Sequence, residues 1–526
     1  MDKAITRRDV IAGGEHLGIA ALMFYLTVAI VADGGVGSLS KSILAILAVA
    51  FCAAQIGRRC SLKVMVVSVV AQVSLAFLMG AVFVQSLRGL SLALNPVWDL
   101  ARQSLPDVNG AISVAPEQSL QAIVTLAPIF IFVGVLKLCR KNMIAVHIIQ
   151  LLGVLATTAA VFGLLSLLHV FEFFGAAPKQ FYHDSLTSFF VNRNTAGTFF
   201  GLGSLVSFSL LLHRMQIRNL TISNIWQALL DGRKIADKFP VANFAFLTIN
   251  CLALALTQSR GAVASTVLCI FVYWLLAQKP RQEAVSYRQS SGKLIRLAKA
   301  ATALLLVVGV AALLAGRVLH RQDAEGVDVF RLCTYQATWQ MALDNWPTGS
   351  GFGTFSNLFP AYRNPACSGL WGHWEMAHNF FLEGLQSLGA VFCALVFACY
   401  SILIWAFGHG LKHRSRNRYL SALGICALLL VSVHSLVDFS LQIPGVANYV
   451  AVLLGACVAV SLNPGRRKDR KGSRSHQSSS RNGRKIVLTP HAPTGPFHTT
   501  RGAASFTPNE GETQPPPFSG SAPQKS

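Results

Sequence analysis

The chain of 526 residues is 53% hydrophobic and 13% charged, and its 45 Lys and Arg against 22 Asp and Glu give a formal net charge of +23. Globular domains carry about 25% charged residues. This composition, with a mean hydropathy of +0.50, therefore excludes both a soluble multidomain enzyme and a mostly disordered chain. A plain nucleic-acid binder would share the charge but not repeated apolar runs of about 20 residues, the length that crosses a hydrocarbon core about 30 Å thick.

The predicted elements are twelve apolar membrane helices, at residues 15–32, 42–57, 64–85, 119–137, 142–169, 194–213, 242–258, 261–277, 298–316, 386–407, 419–439 and 446–462. The pair at 242–277 is split only by Ser259, Arg260 and Gly261, which leaves open a single broken re-entrant hairpin. The fold class is thus an all-α polytopic membrane protein. Lys and Arg are retained on the cytoplasmic side. With both termini there, the inner segments and the tail hold 35 of the 45 basic residues. The ten outer ones are Lys41, Arg88, Arg102, Lys179, Arg193, Arg260, Arg317, Arg321, Arg331 and Arg363. The polar start leads into a full-length span, so an anchor rather than a cleaved signal is expected.

Residues 463–526 are rich in Ser, Pro, Gly and Arg and are expected to form a disordered cytoplasmic tail, distinct from a membrane unit at 1–462. Its basic run at 466–471 reads as a solvated flank of the last span. Outer loops are short except at 86–118, 170–193 and 317–385, and long structured loops are where function concentrates. Within the longest, Val327, Phe330, Tyr335, Thr338, Trp339 and Leu343 predict an amphipathic helix at the membrane surface. Eleven Cys show no metal-ligand spacing. Cys333 and Cys367 alone lie outside, where an oxidising compartment permits a disulfide without requiring one. No phosphate-binding loop with its lysine is present, and Gly349–Gly353 reads as a tight turn.

The outer polar residues are basic, with one or two histidines: Asn192-Arg193-Asn194, Ser259-Arg260-Gly261, Arg331, Tyr362-Arg363, His378-Asn379 with Glu383, and His434 with Asp438. Arg presents a planar fork suited to a diphosphate, and His near neutral pH takes a proton from a hydroxyl. That pairing suits transfer from a lipid diphosphate. Each residue has a plainer reading. Arg193 and Arg260 sit at span ends where side chains snorkel to headgroups. His434 and Asp438, four apart at the end of the eleventh span, read first as a structural pair.

Five ordered segments resemble the bacterial O-antigen ligase and polymerase family of membrane glycosyltransferases. They are Val191 to Gly197, Ser259-Arg260-Gly261, Arg331 with Trp339-Gln340-Met341-Ala342, Pro347 to Arg363, and His378-Asn379 with Leu382-Glu383. The run from His434 to Pro444 is similar to the family's penultimate helix end, and the resemblance covers roughly 185–460. It implies transfer of a glycan from undecaprenyl diphosphate to lipid A-core or a growing polysaccharide, on the periplasmic face, without metal, nucleotide or other cofactor. It further implies that Arg260 and Arg331 hold the diphosphate and that His378 activates the acceptor hydroxyl. Arg193, Asn194, Tyr362, Arg363, Asn379 and Glu383 would line the substrate. Thr195 departs from the family pattern, where many relatives carry His. The partners implied are the lipid-linked donor, the acceptor and the bilayer, and no nucleic acid. The other class that fits twelve spans is a transporter, but the two halves share no motifs, whereas transporters usually show repeat symmetry.

Overall fold

The computed structural model describes residues 7–89, 95–170, 182–221, 239–277, 327–364, 367 and 372–463. The ninth predicted span, 298–316, and the tail from 464 onward lie outside the described residues. Among the described residues all regular structure is helical. In chain order the helices are α1 (Arg7–Val31), α2 (Ser38–Ala53), α3 (Leu62–Ser86), α4 (Val97–Ser104), α5 (Pro116–Ala122), α6 (Ala127–Leu138), α7 (Asn142–Leu167) and α8 (Arg193–Arg218). They continue with α9 (Phe239–Leu256), α10 (Arg260–Ala277), α11 (Val327–Asp344), α12 (Phe355–Leu358), α13 (Phe380–Leu388), α14 (Ala390–His413), α15 (Arg418–His434) and α16 (Pro444–Leu462). Among the described residues nine stretches are long and apolar enough to cross a bilayer, and α2 and α15 are shorter apolar helices. Eleven of the twelve predicted spans are therefore seen as helices, and α9 and α10 are two separate helices rather than half-crossings.

Two of these helices are central. The apolar windows of α8 and α16 are 89% and 94% buried, against 11% for α14, so α14 presents most of its surface to the surrounding medium. Small residues make the close packing around α8 possible. Gly197 lies against Ala262 and Ser259, and Gly203 against Asn250 and Ala156. Several buried polar groups on the spans pair with one another, as an environment without water favours: Tyr25 donates to Asn448 Oδ1 at 2.9 Å and Asn250 Nδ2 to Thr157 Oγ1 at 2.8 Å.

Contacts sort the helix ends into two sets that match the charge bookkeeping. At one end, Arg58 donates to the Gly14 carbonyl, Lys141 pairs with Glu15, and Asn463 donates to the Cys139 carbonyl. At the other, Gly34 meets Phe190 and Ile443, Gln85 reaches Thr348 and Ser387, and Tyr335 reaches His378. Residues assigned to the same side from Lys and Arg counts touch one another.

Three predicted spans are not continuous helices. The fourth splits into α5, a 3-10 turn at Ile123–Leu126 and α6, which has Pro128 in its first turn. The tenth begins only at Ala390, because Gly389 takes a positive φ of 54° and ends α13. The eleventh ends at His434, not 439. The carbonyls of Ser435 and Leu436, which a continuing helix would give to its own amides, are taken by the Phe380 N–H at 3.0 Å and by Asn379 Nδ2 at 2.8 Å.

The predicted loop helix is α11, but its buried face differs from expectation. Cys333, Ala337 and Met341 pack on Phe355, Leu358, Phe359 and Ala377. Trp339 and Leu343 are about half exposed on the opposite face; the apolar set read from the sequence mixed the two faces. Cys333 and Cys367 are joined in a disulfide with Cα atoms 6.4 Å apart, within the usual span. The glycine turn is bound at both sides. The amides of Ser350 and Gly351 donate to the carbonyls of Gln386 and Ser387, and Val114 N–H donates to Ser350 O at 2.9 Å.

Candidate active site

His378 sits in the short link between the disulfide-tied loop and α13. Its backbone is left-handed (φ 57°), and three neighbours hold it so. Asn379 caps α13, its Oδ1 accepting from the amides of Phe381 and Leu382 at 3.1 and 3.0 Å. One turn into the helix, buried Glu383 accepts the Ala377 N–H at 2.8 Å on Oε2 and Gln442 Nε2 at 2.7 Å on Oε1. From α11, the Tyr335 hydroxyl donates to the His378 carbonyl at 3.0 Å. The imidazole lies edge-on to Trp374 and Phe439, with ring centres 5.7 and 4.8 Å away. Its Nδ1 is buried without a hydrogen-bond partner. Burial, and then the Arg331 charge, push the imidazole down to about 4, while Asp438 pulls the other way. At neutral pH His378 is a neutral ring.

The arginines converge by a different route. Arg331 lies one turn before Tyr335 on the same face of α11, and its charge is felt by both His378 and His434. Among the described residues no carboxylate pairs with it. Arg260 is the first residue of α10, and Gly261 after it lets the His434 ring approach. A Cβ there would stand 2.9 Å from His434 Cδ2 and 3.1 Å from Nε2. Ser259-Arg260-Gly261 is thus fitted against the end of α15 through Gly261, and the Arg331 charge reaches the same His434. Arg193 begins α8 and stacks over the Tyr182 ring, 5.7 Å from its centre. The amide of Asn194 donates to Asn192 Oδ1 at 2.7 Å.

A pair read from the sequence as structural, and two hydroxyls not singled out there, complete the cluster. His434 and Asp438 are buried with Nδ1 and Oδ2 4.0 Å apart. They do not share a helical face, because the helix stops at His434 and Asp438 turns back in an Asx turn, its Oδ2 accepting the Ser440 N–H at 2.9 Å. Thr198, on α8, lies 2.6 Å from His434 Nδ1 and 2.8 Å from Ser440 Oγ. The pair His434/Asp438 had a visible spacing; Thr198 and Ser440 had no signal, being hydroxyls 242 residues apart in the chain.

Other predicted site residues sit further out or beneath. Arg363 stacks on Phe359 at 5.4 Å and donates to the Gly372 carbonyl at 2.5 Å. Phe359 and Trp374, ring centres 6.0 Å apart, stand between it and His378. The Tyr362 hydroxyl is pushed up to about 12 by burial and by the Asp344 carboxylate. Asn379 and Glu383 shape the His378 loop through the bonds given above. No group of three or more His, Cys, Asp or Glu able to hold a metal occurs among the described residues.

Among known proteins, residues 244–397 match the family described as O-antigen ligase. The matched stretch takes in Arg260, Arg331 and His378, together with α9, α11, α13 and the first turns of α14. No curated protein matches the chain. Over residues 244–397 this all-α polytopic membrane protein is thus similar to the O-antigen ligase family.

Proposed function

We propose that the protein transfers a glycan from undecaprenyl diphosphate to an acceptor hydroxyl of lipid A-core at the periplasmic face of the inner membrane, without a metal. The same chemistry applied to the end of a growing glycan would make it a polymerase. The observation that carries this reading is a neutral, buried imidazole, His378, within reach of the Arg331 charge, at the end of the bundle where Arg260 opens α10. The acceptor oxygen bonds to the anomeric carbon as the bond from that carbon to the phosphate oxygen breaks. The electron pair leaves on the diphosphate, where Arg331 and Arg260 stabilise it, and the hydroxyl proton passes to His378. Burial, and after it the Arg331 charge, hold His378 low in the resting site. A bound diphosphate would offset that charge and raise the imidazole toward the range in which it keeps the proton.

Two features support the periplasmic side. The Cys333–Cys367 disulfide lies two residues from Arg331, and such bonds persist in oxidising compartments. The end carrying the site is also the one poor in Lys and Arg. Loss of a general base costs about 10²- to 10⁴-fold. His378→Ala, present at the wild-type level in a deletion strain, is expected to leave no full-length surface glycan. Restoration of a normal profile by that variant would contradict the assignment.

A further inference from the structure

We propose that Thr198 and Ser440 form a two-hydroxyl relay that fixes the tautomer of His434 and the orientation of Asp438, so that these residues position the charge facing His378. This rests on the reading of His378 as the proton acceptor. Counting protons orders these contacts, the Thr198 hydroxyl also standing 3.2 Å from the Asn194 carbonyl, a longer contact than the one to Ser440. Ser440 has a single hydroxyl proton, and its Oγ is in hydrogen-bond contact with Asp438 Oδ2. The Ser440 hydroxyl donates there, so its one proton is taken by the carboxylate oxygen. The 2.8 Å contact between Thr198 and Ser440 then needs the Thr198 proton. The 2.6 Å contact between Thr198 and His434 Nδ1 is left to a proton on Nδ1. The chain of donors runs from His434 Nδ1–H to Thr198, to Ser440, to Asp438 Oδ2. Reversing any link would leave two oxygens, or an oxygen and a nitrogen, facing each other with no proton between them.

Two consequences follow for the site. His434 presents a bare Nε2 against Gly261, beside Arg260 at the start of α10. Asp438 is held through Oδ2 by the Ser440 amide and hydroxyl, while its Oδ1 is buried and unpartnered. The His378 ring, whose Nδ1 is likewise buried and unpartnered, packs on Phe439, the residue between Asp438 and Ser440. The charged and titratable groups around this ring are Arg331 from α11, Asp438 from the turn, and Glu383 through the Ala377 amide, with His434 and Arg260 behind Asp438 and Gly261. Asp438 is the group among them that favours a protonated His378. Without Thr198 the Ser440 hydroxyl is no longer fixed from behind, and the carboxylate, left with the Ser440 amide as its fixed partner, can turn to His434, 4.0 Å away, and leave His378 to the opposing charge of Arg331.

The test uses the purified full chain and the lipid-linked glycan fraction extracted from the deletion strain, with rate followed against pH. Thr198→Val keeps the shape and removes the hydroxyl; Thr198→Ser keeps the hydroxyl. The valine variant is expected to lose about tenfold in kcat at neutral pH with KM for the donor unchanged. Its acid limb should move to lower pH, and the serine variant should restore both. Ser440→Ala gives the same readout should the valine variant fail to fold. A valine variant with the wild-type rate and pH profile would overturn the relay, as would equal losses in the valine and serine variants. An active His378→Ala would instead overturn the underlying assignment.

Discussion

At the scale of single residues, burial decides what each group in the site does. His378 and Glu383 are five positions apart, and burial drives them to opposite neutral forms: the imidazole down to about 4 and the carboxyl up to about 7. For Glu383 the cause is desolvation, only partly offset by the Ala377 amide and Gln442. A carboxyl whose native value is raised stabilises the fold fully below its ordinary value of 4.5, and that stabilisation is lost as pH rises through about 7. The difference corresponds to roughly 3 kcal/mol. Glu383→Gln removes the titration yet keeps the geometry, since Gln442 Oε1 is unpartnered and a flip of that amide would meet the new one. Melting temperature against pH should therefore fall between pH 4.5 and 7 in the wild type and stay flatter in the variant. Parallel curves would show that Glu383 is not neutral in the native site.

At the scale of elements, α11 and α15 show what the sequence makes legible and what it does not. Long apolar runs mark spans because a bilayer requires them, and eleven of the twelve predicted spans appear as helices. The ends of those helices are set by distant partners. His434 closes α15 because Asn379 and Phe380, 50 or more residues earlier, take its next carbonyls. No local pattern encodes that. The face of α11 was misread for a similar reason: its buried side is made of Cys, Ala, Thr and Met, while Trp339 and Leu343 point outward. The Cys333–Cys367 bond closes a loop with a sequence separation of 34, for which chain entropy suggests about 3–4 kcal/mol. Cys333→Ser and Cys367→Ser should each lower the melting temperature and the transfer rate equally, and the double variant should be no worse than either. Unequal single variants, or a double variant with additive losses, would mean that the thiols act separately.

At the scale of the whole molecule, where the charge sits matters more than its sum. Among the described residues most Lys and Arg lie toward one end, where Lys141 meets Glu15 and Arg58 meets the Gly14 carbonyl. The few at the other end include Arg260 and Arg331. Those two and His378 stand out in the sequence because their residue types suit a diphosphate and a hydroxyl, and because the segments that hold them resemble the O-antigen ligase family. Thr198 and Ser440 do not, since a buried hydroxyl looks the same in a sequence whether it relays a proton or fills a span. The described chain leaves α10 at Ala277 at the basic end and returns at Val327 at the site end, so the whole site is assembled by helices entering from opposite directions. The most direct measurement is the glycan profile of a strain lacking this protein. A ligase predicts uncapped lipid A-core together with polymer accumulating on the polyprenyl carrier, and a polymerase predicts single repeat units. An unchanged profile, with no lipid-linked glycan accumulating, would contradict the account.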